Sequence, residues 1–284
     1  MLKSMGKIIK LRKRNNHLNE GIDFNEIDLT VSYNPSHENN IETSEYTNPT
    51  LSTKYVPFVE VWSIFKRKSG SKSDGNPLVF AMKNERGWHF KSENDKILIY
   101  KQIYKIAKKF FSKYKSDVTI VLPSNGILNK DIANLANKMN SNALFINDLL
   151  VKMTTDEVRD MILLPNSLFR KTYNTRRAFE TALLKFDNYV DHMENDIFRV
   201  HYIKDPQLRT AIEQTIRIEW NTVAKYFDAI NDKDILLLDD NIGYGTTIIN
   251  TCDEILTYYS PKSITVLTLF SEKYDKDGKE IIRN

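Results

Sequence analysis

The chain has one cysteine among its 284 residues, Cys252. A single cysteine excludes an intrachain disulfide and any cysteine-cluster metal site. No apolar run approaches the roughly 18 residues of a membrane-spanning helix, so no membrane association is expected. The N-terminal segment lacks the apolar core of a secretory leader, and the expected setting is the cytoplasm. No Gly-Lys-Ser/Thr sequence occurs, which excludes a Walker A phosphate loop. HExxH, GxSxG and CxxC are also missing, and the five histidines (His17, His37, His89, His192, His201) show no metal-ligand spacing. Strong net charge is lacking too. The formal +4 arises in residues 1–16, where Lys3, Lys7, Lys10, Arg12, Lys13 and Arg14 stand without an acid, so the remainder carries about −2. A nucleic-acid-coating body is therefore not indicated, although the arm itself is suited to a protein or nucleic-acid contact.

What is present is enough apolar material for a packed core: 41% hydrophobic residues, with 14 Tyr and 14 Phe. The most informative stretch is ILLLDDNIGYGTT, residues 235–247. Ile235, Leu236, Leu237 and Leu238 form the short, wholly apolar run of a buried parallel strand. Asp239 and Asp240 stand at its C-terminal end, where open α/β sheets bind ligands. Ile248, Ile249, Cys252, Ile255 and Leu256 then recur at helical spacing. A small-residue turn between strand and helix offers backbone N–H groups to an anion. Acids beside such a cradle suit a ligand with both sugar hydroxyls and phosphate. Taken singly, each piece also reads as a strand ending in solvated acids and a plain glycine turn. A dinucleotide fingerprint needs a third Gly where Ile248 stands. A receiver domain needs far more chain than the 44 residues after Asp240.

The whole constellation resembles the signature of the type I phosphoribosyltransferases, in which an apolar strand ends in two acids followed by a Gly-x-Thr/Ser loop. Asp239 and Asp240 match the acids, and Gly245 and Thr247 match the loop. The resemblance implies that the acids hold the ribose hydroxyls of phosphoribosyl pyrophosphate (PRPP) and help a Mg²⁺ ion. It implies that Gly243, Tyr244, Gly245, Thr246 and Thr247 hold the 5′-phosphate. Tyr244 and Gly243 stand where relatives commonly carry hydroxyl residues, which leaves backbone donors and removes side-chain ones. By the same resemblance, Ser124, Asn125 and Gly126 form the pyrophosphate loop, without the basic residue many relatives place there. Lys204 and Arg209 flank Pro206 in a segment (198–209) matching the mobile loop that contacts pyrophosphate. The implied activity is PRPP-dependent pentosyl transfer to or from a nitrogenous base-like acceptor, within nucleotide metabolism. A non-catalytic PRPP- or nucleotide-binding or assembly module on the same fold is the alternative. Tyr173, Tyr202 and Tyr244 are among the aromatics able to stack on a base. The oligomeric state stays open.

The expected fold class is α/β: a parallel-sheet, phosphoribosyltransferase-like core with a helical insertion and an N-terminal β-hairpin plus helix extension. Residues 1–54 are polar and basic with few apolar anchors and read as a flexible arm. Residues 55–116 form the extension, with strands over 56–66 and 77–90 holding Trp62 and Trp88, and a helix carrying Ile99, Ile103, Ile106, Ala107, Phe110, Phe111 and Tyr114 on one face. Residues 117–284 form the core. It opens with a strand at 118–122, a helix capped near Asn129 and a strand at 143–150. Thr154 and Glu157 form a capping box for the next helix. An insertion of about 152–230 reads as helical, with Ala178, Ala182, Phe186 and Tyr189 as one periodic set. A second set is Ala211, Ile212, Ile216, Trp220, Val223, Ala224 and Phe227, and a last strand spans 263–270.

Overall fold

The computed structural model describes residues 20–56, 59–68, 76–123, 127–191, 197–199, 203–212, 214–242 and 246–274. The elements run β1 (Gly21–Asn25), β2 (Thr30–Asn34), β3 (Ile41–Glu42), β4 (Thr50–Val56), β5 (Val59–Lys68), α1 (Asn76–Lys83), β6 (His89–Phe90), α2 (Glu93–Lys113), β7 (Val118–Val121), α3 (Ile127–Met139) and β8 (Leu144–Ile146). They continue with β9 (Leu150–Lys152), α4 (Thr155–Leu163), α5 (Leu168–Thr172), α6 (Arg176–Val190), α7 (Pro206–Ala211) and β10 (Ile216–Ile218). A 3-10 turn at Trp220–Thr222 is followed by α8 (Phe227–Ile230), β11 (Asp234–Asn241), α9 (Thr246–Tyr258) and β12 (Ser263–Tyr274). The chain divides into two compact units: Met1–Phe145 with Lys233–Gly243 and Ser263–Asn284, and Ile146–Asp232 with Tyr244–Lys262.

The first unit is built on a seven-stranded mixed sheet in the order β3-β5-β12-β11-β7-β8, with β4 also paired to β5. β5, β12, β11 and β7 are mutually parallel, and β3 and β4 cover the outer edge of β5 antiparallel to it. Ile235, Leu236, Leu237 and Leu238 are all buried, as a central parallel strand covered on both faces requires. From β7 the chain moves outward to β8, whereas from β11 it moves the other way to β12. The order therefore reverses between the neighbours β7 and β11, the place where open α/β sheets carry ligands. One apolar cluster joins Leu78 and Met82 of α1, Ile99 and Ile106 of α2, Leu128 and Ile132 of α3, and Leu236 and Leu238 of β11.

Several expectations need correction in this unit. Residues 20–54 are not an arm without anchors. They form β1 to β3 and most of β4, with Ile22, Val31 and Ile41 fully buried. Those anchors are too widely spaced to register as a period, and polar residues between them fill turns. Residues 77–90 do not form one strand. Leu78, Ala81 and Met82 bury one face of α1, a helical spacing, and only His89 and Phe90 are extended. The hairpin partner of β5 is β4. Asn129 does not cap α3; it lies buried inside the helix and donates from Nδ2 to the Leu122 carbonyl at 3.1 Å. The helix α2 keeps the face read from the sequence, with Ile99, Ile103, Ile106, Ala107, Phe110 and Phe111 buried and Tyr114 as its C-cap.

The second unit packs α4 to α7 around Phe169, Phe179, Phe186 and Phe198. Thr154 makes the expected capping box with Glu157. The buried stripe of α6 is Phe179, Ala182, Phe186 and Val190, one position round from the set centred on Ala178 and Tyr189. The single strand read over 143–150 is two: β8 joins the large sheet, and β9 pairs antiparallel with β10. No long helix spans 211–227. Pro206 begins α7 rather than interrupting a helix, with Asp205 as N-cap, and Ile216–Ile218 is strand because two Ile flank Arg217 in strict alternation.

Candidate functional site

The acid pair lies within β11, at its C-terminal end. Parallel pairing sets Leu238 beside Val121 of β7 and Leu267 of β12. The Leu122 N–H donates to the Leu238 carbonyl at 2.9 Å, so β7 and β11 end side by side. Ser124, Asn125, Gly126, Gly243, Tyr244 and Gly245 lie outside the described residues, as does Tyr202. Thr246 and Thr247 open α9, and the Thr247 carbonyl accepts from Thr251 Oγ1 at 2.8 Å.

Successive side chains of a strand point to opposite faces. Leu236 and Leu238 face the α1–α2–α3 cluster, and Asp240, two residues on, faces the same side. There its Oδ2 forms an ion pair with Nζ of Lys83, in the last turn of α1. Both side chains are largely buried, at 17% exposure for Lys83 and 13% for Asp240. Asp239 falls on the other face, and its Oδ1 accepts the Asp240 N–H at 2.8 Å. Alternation along the strand thus sends the two carboxylates to opposite faces of the sheet. Around the strand reversal, the buried amide oxygens Asn129 Oδ1 and Asn241 Oδ1 have no hydrogen-bond partner among the described residues. Asn129 sits beside the end of β7 and Asn241 ends β11, so both orphaned acceptors belong to the elements around the strand reversal.

Arg67 of β5 is buried, and its guanidinium donates to the carbonyls of Ser271 and Ile242. Its backbone N–H donates to Ser271 Oγ at 2.9 Å. It thereby holds the chain at the last described residue before 243–245. Lys204 and Arg209 belong to the second unit. Lys204 is exposed, and the Arg209 Nε donates to the Ile203 carbonyl at 3.1 Å. Tyr173 packs against Phe169 at 5.1 Å between ring centroids, as part of that unit's core. Cys252 is fully buried in α9, and burial pushes its thiol up to about 12. Among the described residues no helix is long and apolar enough to cross a membrane.

Sequence reasoning missed Lys83, Arg67 and the two orphaned amides. Lys83 is hidden because its segment carries the composition of a strand, and in a strand the residue has no reason to meet Asp240. Arg67 was hidden because only the pairing of β5 with β12 brings it to Ile242.

No protein-family model, curated protein or solved structure matches the chain.

Proposed function

We propose that the chain binds PRPP, or a nucleotide sharing its phosphoribosyl part, at the C-terminal ends of β7 and β11, and transfers phosphoribose to or from a nitrogenous base-like acceptor. The observation that carries this reading is the reversal of strand order between β7 and β11, with the acid pair at the end of β11; in the sequence a glycine-containing segment follows each of the two strands. It supports a phosphoribosyltransferase-like core as the identity of the sheet. On the sequence resemblance, 243–247 are the proposed contacts to the 5′-phosphate and 124–126 those to pyrophosphate. Asp239 is the proposed acceptor for ribose hydroxyls. In the reaction the bond from ribose C1 to a pyrophosphate oxygen breaks and a bond from C1 to the acceptor nitrogen forms. The bonding electrons leave with pyrophosphate and the acceptor N–H gives up its proton. The chain's contribution is to orient the two reactants and to stabilise the charge that develops on pyrophosphate. Lys204 and Arg209 are proposed pyrophosphate contacts on the sequence resemblance alone.

Mg²⁺, implied by the same resemblance, supplies charge neutralisation to a pyrophosphate leaving group. The residues present do not fit a resident ion ligated by Asp239 and Asp240 together, because the two face opposite sides of the sheet and Asp240 is paired with Lys83. The same ion pair favours a second reading, in which the chain binds the ligand without turnover and serves sensing or assembly. Steady release of pyrophosphate with any acceptor would exclude that second reading. The test of the binding site itself is calorimetric titration of PRPP into the full chain and into Asp239→Asn/Asp240→Asn. Binding lost in a folded double variant is the expected result; no binding to the folded wild type sinks the proposal.

A further inference from the structure

Lys83 has no part in the family resemblance, yet its ammonium pairs with Asp240, one of the two acids. We propose that Lys83 is a ligand-binding residue: held by Asp240, its ammonium contacts a phosphate group of the ligand directly and supplies the positive charge there, so that the phosphorylated ligand binds without a divalent metal. This rests on the phosphoribosyl-ligand reading above and assigns it a further residue.

Four observations converge. An ammonium has three donors, and among the described residues a single partner, Asp240, engages it. The pair stands at the C-terminal end of β11, at the reversal of strand order, and both side chains keep some exposure to solvent. Lys83 lies in the last turn of α1, where the helix dipole favours a cation and holds the charge in place without a second acid. Finally, a largely buried Lys–Asp pair is weak as a stabilising device, since apolar side chains of similar size commonly serve a core as well or better. At the end of a strand whose inner residues are Leu236 and Leu238, two more apolar residues would complete the cluster. A lysine there instead is accounted for by an anion it meets. Lysine binds phosphate as a point charge, and a carboxylate behind it fixes where that charge stands.

The metal expectation then changes sign. A divalent cation at Asp240 would have to displace Lys83, and the ligand would lose its ammonium contact. The experiment is calorimetric titration of PRPP into the full chain in EDTA and in Mg²⁺, with inorganic pyrophosphate as a second probe. The variants are Lys83→Met, Lys83→Arg and the double variant Lys83→Met/Asp240→Leu, each checked for folding by circular dichroism. The double variant removes both charges at once and so avoids leaving a buried unpaired carboxylate. The wild type is expected to bind PRPP with the same affinity in both buffers, and Lys83→Arg to retain binding in EDTA. The folded double variant is expected to lose about tenfold or more in EDTA, the worth of one charged hydrogen bond. If the wild type binds in Mg²⁺ but not in EDTA, the role given to Lys83 is overturned while the PRPP reading stands. Unchanged EDTA binding by the double variant overturns it equally. Absence of binding in either buffer overturns the PRPP reading, and the role of Lys83 with it.

Discussion

Burial sets the chemistry of Cys252. With the thiol pushed up to about 12, the thiolate that reacts with disulfide reagents is scarce at pH 8. The folded protein should therefore react very slowly with Ellman's reagent, and one thiol should titrate promptly once urea unfolds it; prompt reaction of the native protein would contradict the buried placement. Gly21 is fixed by sterics of another kind. A Cβ there would lie 2.5 Å from the His37 carbonyl oxygen and 2.9 Å from the Glu38 Cα, both backbone atoms that cannot swing away. Gly21→Ala should lower the thermal midpoint measurably by pushing β1 from the segment at 37–38, and an unchanged midpoint would show that this segment yields. Residue-scale legibility divides along the same line. Asp239 and Asp240 were readable because they interrupt an apolar run, a contrast within a few positions. The meeting of Lys83 with Asp240, and of Arg67 with Ile242, was not, because each depends on pairing between segments far apart in the chain.

At the scale of elements, α4 is held by its first turn. Thr154 Oγ1 accepts the Glu157 N–H at 3.1 Å, and the Glu157 carboxylate accepts the Thr154 N–H at 2.7 Å. Thr154→Ala should cost about 1 kcal/mol in a urea melt, the usual worth of such a cap. Burial pushes the Glu157 carboxyl up, but the hydrogen bond from the Thr154 backbone and the Arg217 guanidinium outweigh it, and the net direction is down. A carboxyl depressed in the folded state contributes stability above its unfolded pKa and loses it as pH falls through the folded one. Acidification below the ordinary carboxylate range should thus erode stability less in Glu157→Gln than in wild type; parallel curves would contradict the pairing. Long periodic elements were legible: α2, β11 and α9 stand close to where their spacing put them. Short ones were not. Two turns of PLVFAMK carry the same β-branched and aromatic residues as a strand, and TIRI within a helical-looking run obeys β10 pairing with β9 instead.

The molecule as a whole is α/β, with a mixed sheet whose four central strands are parallel. Because β11 is paired on both sides and buried on both faces, its amides should exchange among the slowest in the chain. Leu237→Ala, at a fully buried position of that strand, should cost about 2–5 kcal/mol in a denaturant melt. Three of the four parallel strands, β7, β11 and β12, were legible as core strands from their apolar runs. The contribution of residues 20–68 to the same sheet was not, since strands with polar outer faces and isolated anchors look like an arm until their partners are known. The central claim concerns one place in this architecture, the reversal of strand order between β7 and β11. Hydrogen–deuterium exchange with and without PRPP tests it most directly. Peptides covering 122–130 and 239–248 should gain protection together, while the rest of the sheet stays unchanged. Protection confined to other segments, or none at saturating PRPP, would contradict a ligand site at that reversal.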